Sequence, residues 1–175
     1  SDTAVERKLF VVASGESQLR EIWQGVRESR MYTSFGSTWH PDGKKVIFLS
    51  DMGDRYGLYT IDTSDPNHLP QLLTDPSYDV LSTPSIAADA LFYSGNGVNP
   101  YEQHVYRLKI SNGHPEQVTR LSGQNVGYPS PDGRHLVFMH SNDTSPTELY
   151  VVSSDGGNAA QITHSPLPTF TERTW

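Results

Sequence analysis

Two copies of one phrase constrain this chain more than anything else in it. Ser130-Pro131-Asp132-Gly133-Arg134-His135-Leu136-Val137-Phe138 repeats His40-Pro41-Asp42-Gly43-Lys44-Lys45-Val46-Ile47-Phe48 at a distance of 90 residues. In each copy Pro presets φ, Asp is placed to hydrogen-bond its own backbone and Gly tolerates a positive φ, so the first half reads as a tight turn. The apolar run behind it is of strand type. One copy would be an ordinary turn. Two copies, with the degenerate Pro84-Ser85-Ile86-Ala87-Ala88-Asp89 between them, mark an internal repeat.

Two further landmarks recur in the same order. With the copies aligned on the phenylalanine of the apolar run, Phe10, Phe48, Phe92 and Phe138 follow at intervals of 38, 44 and 46 residues. An aliphatic–aromatic pair then opens another strand: Ile22-Trp23, Leu58-Tyr59, Val105-Tyr106 and Leu149-Tyr150. Each unit closes on an apolar residue and a threonine, as Leu73-Thr74, Val118-Thr119 and Ile162-Thr163, with Tyr32-Thr33 a weaker version. Polar turn segments such as Ser111-Asn112-Gly113-His114-Pro115 and Ser154-Asp155-Gly156-Gly157-Asn158 separate the strands. About four strands per unit at a period of about 40–50 residues is the pattern of a β-propeller blade.

The expected fold is therefore all-β, with blades of four antiparallel strands. The chain holds about four blades, three full and one partial, in a single propeller segment over 1–175. The repeats fall at 5–35 (partial), 36–79, 80–125 and 126–165, with 166–175 as a C-terminal tail. Blades bury their faces against neighbours, so four in an open arc would leave two apolar faces uncovered. The arc could close with the tail as the missing strand, pair with a second copy, or belong to a longer chain. Half of a larger ring is the expectation.

Charge and composition narrow the partners. A net charge of −7 without any basic run excludes a phosphate-binding surface, so no nucleic acid is expected. No apolar run approaches membrane-spanning length, so no membrane partner is expected either. Cysteine is absent, which removes disulfides, thiolate metal sites and a Cys nucleophile. That absence leaves the compartment open; a bacterial periplasmic location is favoured over a cytoplasmic one.

At the turn-strand motif the chain resembles a known family. Ser130-Pro131-Asp132-Gly133 with Leu136-Val137-Phe138, then Glu148-Leu149-Tyr150-Val151-Val152, Asp155-Gly156-Gly157 and Gln161-Ile162-Thr163, is similar to the propeller repeat of TolB-type proteins and of the prolyl oligopeptidase family. The resemblance covers residues 36–163 closely and 8–33 weakly. The tail, from His164 to Trp175, resembles the segment that leaves the last blade towards the hydrolase domain in dipeptidyl peptidase IV-like enzymes. The resemblance implies the non-catalytic propeller portion of a serine peptidase, gating peptide access to a hydrolase domain outside this chain; a TolB-type scaffold binding a protein or peptide is the alternative. Implied partners are that hydrolase domain or a second copy, with a peptide ligand. Two family features are missing. No Gly-x-Ser-x-Gly elbow occurs, the nearest string being Gly15-Glu16-Ser17-Gln18-Leu19, and Glu16, Glu21 and Glu28 include no adjacent pair to hold a substrate's amino group. No family functional residue is carried over.

The chemistry candidates are weak one by one. His135 and His140 lie an odd number of residues apart on one strand, hence on opposite faces. His40, His68, His104, His114 and His164 fall at turns, loops or strand ends, without zinc spacing, so surface or hydrogen-bonding histidines are expected. Asp51 and Asp54 lack the rest of a calcium loop. Trp39, Tyr56, Tyr93, Tyr101 and Tyr128 are candidates to line a channel or rim, with filling between blades the favoured role. Asn142-Asp143-Thr144 matches a glycosylation sequon. The site expectation is thus no catalytic, cofactor or metal residue. The residues singled out are those of the repeat-defining turns, Pro41, Asp42, Gly43, Pro131, Asp132 and Gly133.

Overall fold

A computed structural model describes residues 5–27, 36–65, 67, 69–111 and 113–166. The weak Tyr32-Thr33 landmark, Glu28, His68, Asn112 and tail residues 167–175 lie outside the described residues. All the regular structure described is strand, arranged in four antiparallel sheets. The first sheet pairs β1 (Val5–Val11) with β2 (Arg20–Arg27). The second runs β3 (Ser37–Trp39), β4 (Lys45–Ser50), β5 (Gly57–Asp62), β6 (Gln71–Leu72). The third runs β7 (Ser85–Ala87), β8 (Ala90–Gly95), β9 (His104–Lys109), β10 (Pro115–Gln117), and the fourth β11 (Gln124–Pro129), β12 (His135–Asn142), β13 (Ser145–Ser153), β14 (Ala160–Gln161). Each four-stranded sheet is a meander in chain order, as a propeller blade requires. The strand β11 begins two residues before the boundary the repeat suggested.

The core consists of three layers between blades. Leu9, Val11, Ile22 and Trp23 of the first blade meet Val46, Phe48, Tyr59 and Ile61 of the second. Ile47, Leu49 and Leu58 on the second blade's other face meet Leu91, Tyr93, Tyr106 and Leu108 of the third. Ala90, Phe92 and Val105 then meet Leu136, Phe138 and Val152 of the fourth. A strand buried on both faces reads as a continuous apolar run, which is why β4 and β8 show no alternation.

The closing threonines have a common job. Thr74 accepts the backbone N–H of Leu58 at 3.1 Å, Thr119 that of Val105 at 2.9 Å, and Thr163 that of Leu149 at 2.9 Å. Each hydroxyl thus satisfies a donor on the blade's third strand, beyond the end of its short fourth strand.

One alignment is corrected by the register. The aromatic pairs that face each other across the second and third strands are Phe48–Tyr59, Tyr93–Tyr106 and Phe138–Tyr150. The equivalent of Phe48 and Phe138 is therefore Tyr93, not Phe92, and the three stand at equal intervals of 45 residues. Phe92 points to the opposite face, into the fourth blade. The turn before the strand differs as well. Ala87 pairs directly with Ala90, so a two-residue loop with Ala88 at φ 51° replaces the six-residue Pro-Asp-Gly connections. Matching Phe92 to Phe48 and Phe138 sets the alignment off by one residue, and one residue is enough to exchange the two faces of a strand.

The fourth blade's outer face differs from those of its predecessors. Ile47 and Leu58 on the second blade are 1 % and 0 % exposed, whereas Val137 and Leu149 at the matching positions are 44 % and 37 % exposed. Met139 and Ile162 share that open face. At the other end, Phe10 is 44 % exposed on the side of the first blade away from the second.

Candidate functional site

The segment from Tyr78 to Ser85, which joins the second blade to the third, is held to both. Val80 donates to the Tyr56 carbonyl at 2.9 Å and Leu81 to that of Ser94 at 2.7 Å. The Ser94 amide donates to Ser82 Oγ at 2.8 Å, and the Asp79 amide to Asn96 Oδ1 at 2.8 Å. So anchored, the segment forms one wall of a cleft of about 680 Å³ whose other walls come from Leu49 and Tyr56, from Phe92 and Tyr93, and from Val126, Gly127 and Tyr128 of β11. That size falls within the range of small-ligand pockets.

The cleft is electrically quiet. Its one lining carboxylate among the described residues, Asp79, is paired with Arg55 at 2.9 Å and accepts the Tyr56 amide at 3.0 Å. Behind the wall the hydroxyls of Tyr78 and Tyr93 lie 2.7 Å apart. Burial pushes the Tyr78 phenol up to about 12 and the Tyr93 phenol further above its ordinary value, so both stay neutral. Such a surface can bind, through hydroxyls, amides and ring faces. It holds no group poised to move a proton at neutral pH.

The sequence candidates fall in three places. Tyr56, Tyr93 and Tyr128 meet at the cleft, although Tyr93 is 2 % exposed and fills the space between two blades. Trp39 and Tyr101 are exposed elsewhere, at 52 % and 86 %. Pro41, Asp42, Gly43, Pro131, Asp132 and Gly133 lie in the connections between the first and second strands of their blades, outside the cleft lining. Asp42 Oδ1 accepts the amides of Lys44 and Lys45 at 2.8 and 3.1 Å. Desolvation raises the Asp42 carboxyl, but those amides and His40 outweigh it and hold it below its usual range. Asp132 is lowered by the hydroxyl of Ser130, at 2.6 Å, and the amide of Arg134.

Among the described residues no three His, Cys, Asp or Glu side chains cluster to hold an ion. His104 and His140, 2 % and 6 % exposed, are joined through Asn125, which is 0 % exposed. Asn125 Nδ2 donates to the carbonyls of Gln103 and Leu121 at 2.9 and 2.8 Å, leaving its Oδ1 to accept from His140 Nδ1 at 3.1 Å. His104 Nε2 meets Glu102 at 3.0 Å. Burial lowers the His140 pKa. This network joins the third and fourth blades, as does Arg107, which reaches Asp155 at 2.5 Å and Glu116 at 2.8 Å. Sequence reading missed Asn125, Gly127, Ser82 and Arg107. For Asn125 and Arg107 the one available signal was a polar residue inside a strand, which does not separate a buried network from an exposed face; Gly127 and Ser82 carried none. Among the described residues no serine or threonine hydroxyl bonds a histidine ring.

Fold and site together define a segment of a β-propeller, and among its described residues no serine or threonine hydroxyl is paired with a histidine as a catalytic dyad. Its sequence matches the dipeptidyl peptidase IV (DPP IV) N-terminal region over residues 3–147, and the chain belongs to that family. Among solved structures, dipeptidyl peptidase 4 of Porphyromonas gingivalis is similar with a TM-score of 0.67 at 17 % identity, over 85 % of this chain and 21 % of that one. A structure from work on two prolyl endopeptidases gives 0.67 at 16 %, over 89 % of this chain and 22 % of the other. A protein of Agrobacterium tumefaciens assigned as TolB gives 0.62 at 16 %, over 90 % and 59 %. The chain thus spans about a fifth of the two peptidase structures. No curated protein sequence matches it.

Proposed function

We propose that this chain is the non-catalytic propeller portion of a prolyl oligopeptidase-family serine peptidase, gating the access of short peptides to a hydrolase domain that is not part of it. The observation that carries the reading is the family match over residues 3–147 in a sequence with no Gly-x-Ser-x-Gly string. Bond-breaking chemistry needs a nucleophile and a base in contact, and among the described residues no serine or threonine hydroxyl is bonded to a histidine ring. Two proteins decide the matter: this chain alone, and the longer protein encoded by its gene. The chain alone is expected to leave a Gly-Pro or Ala-Pro nitroanilide intact, and the longer protein to cleave it. Turnover by the chain alone would refute the non-catalytic role; no turnover by the longer protein would refute the peptidase. In the latter case the TolB-like neighbour, matched over 90 % of this chain, supports a scaffold for a protein or peptide instead.

The partners proposed are the hydrolase domain of the parent protein and, for the isolated chain, a second copy. Support comes from the open face of Val137, Met139, Leu149 and Ile162, whose counterparts on the second and third blades are covered by the next blade. Light scattering across concentration should show a dimer. A monomer throughout would overturn the second-copy proposal.

A further inference from the structure

We infer that the inner edge of the fourth blade at Gly127 is a main-chain docking point for an extended, uncharged peptide segment lying in the cleft. The inference rests on the reading that peptides reach this propeller, and deepens it by naming where they bind.

The direction of the β11 backbone follows from its bonds. Ser130 N donates to His135 O at 2.7 Å, closing the connection from β11 to β12. In an antiparallel pair, bonding and non-bonding residues alternate. Tyr128, Val126 and Gln124 therefore bond β12, and Pro129, Gly127 and Asn125 turn their main-chain groups away from it. Asn125 confirms the phase, because its amide donates to Gln103 O at 2.8 Å, on the third blade. Pro129 has no amide proton. Gly127 is left with an N–H and a C=O directed to the side of β11 that lines the cleft, and neither has a partner among the described residues. A strand edge in that condition is a template for an extended chain.

The surroundings select the ligand. Gly127 carries no side chain to obstruct approach, and none fits: a Cβ there would stand 2.5 Å from Val137 O. Tyr128 and Leu81, 69 % and 42 % exposed, flank the cleft with apolar surface, and Ser82 contributes a hydroxyl. The lining carboxylate is neutralised by Arg55, so a charged side chain entering the cleft would lose hydration without gaining a counter-ion. A peptide with small neutral side chains pairs its own amide with Gly127 and loses little.

The probe is the capped hexapeptide acetyl-Ala-Thr-Ala-Val-Thr-Ala-amide, titrated into the ¹⁵N-labelled chain. Saturable shifts are expected at Gly127 and Tyr128. Scanning an N-methyl group along the peptide should weaken binding about tenfold at the position whose N–H meets Gly127, and little at its neighbours. Tyr128→Ala, on an exposed side chain and checked by its thermal melt, should weaken binding severalfold. Shifts confined to another surface, indifference to N-methylation, or binding of maltohexaose in place of the peptide would each overturn the inference. Failure of this site is distinguishable from failure of the peptidase reading. Peptide binding to the chain with no turnover by the longer protein removes the peptidase alone, and turnover without binding at Gly127 removes this site alone.

Discussion

Replacing Thr119 by valine tests the reason for the closing threonine. The substitution keeps the shape of the side chain and removes the oxygen. Thr119 is 1 % exposed, and its Oγ1 accepts the amide of Val105, itself 0 % exposed, at 2.9 Å. No water reaches that amide once its acceptor is gone, so the full penalty of a buried orphan donor applies, about 1–3 kcal/mol. For a chain of this size that lowers Tm by about 2–4 °C per kcal/mol, hence by about 2–12 °C. Thr119→Ser keeps the oxygen and loses one methyl, at about 1 kcal/mol. Thermal melts of the three proteins, with hydrogen exchange at the Val105 amide, separate the two effects. Valine should destabilise more than serine, and only valine should accelerate exchange at Val105. If valine were as stable as wild type with Val105 still protected, the threonine would be a packing residue and the repeat landmark would need another cause.

Three further outcomes follow from the same geometry. His140 has a folded pKa held below 6.5 by burial, so the unfolded chain binds its proton first; stability should be complete above pH 6.5 and fall as pH drops towards the lower folded value. His140→Gln should flatten that fall in melts between about pH 8 and about pH 5, a window above the carboxylate titrations. Phe138→Ala should cost about 3–5 kcal/mol in urea unfolding, because the ring is 1 % exposed between two blades, whereas Phe10→Ala, at 44 %, should cost less than about 1 kcal/mol. Gly133→Ala should cost more than Gly43→Ala. Both hold φ near +70°, worth about 1–2 kcal/mol against a Cβ, but only at Gly133 would the new methyl meet a neighbour, Ala88 Cβ at 3.0 Å.

Much of the fold was legible because propeller physics writes itself into local sequence. A turn needing positive φ demands Gly at Gly43 and Gly133, a strand covered on both sides demands an unbroken apolar run, and a short fourth strand demands a side-chain acceptor beyond its end. The apolar run and the threonine acceptor recur in the second, third and fourth blades and the glycine turn in the second and fourth, so each becomes a repeat. The open face of the fourth blade was legible for the same reason: Val137, Met139, Leu149 and Ile162 are as apolar as the covered positions, whatever their exposure here. The cleft was not legible. It is built from backbone direction at Gly127, from a linker segment with no counterpart in the repeat, and from an acid neutralised by an arginine 24 residues away. None of these has a residue-type signature.

The third blade shows both sides of this. Phe92 matches the repeat by residue type, yet the pairing of Tyr93 with Tyr106 and the 45-residue spacing place Tyr93 in the equivalent position. Residue type pointed to Phe92; strand pairing decides which residue faces which blade. The exchange also places a phenol where the neighbouring blades have phenylalanine. The Tyr93 hydroxyl reaches that of Tyr78, in the linker that walls the cleft, at 2.7 Å. The degenerate copy of the repeat is thus the blade whose departure from it helps fix the cleft wall. In this chain the shared positions build the scaffold, and the cleft takes its anchored wall from the copy that departs from them and its opposite wall from β11 of a regular one.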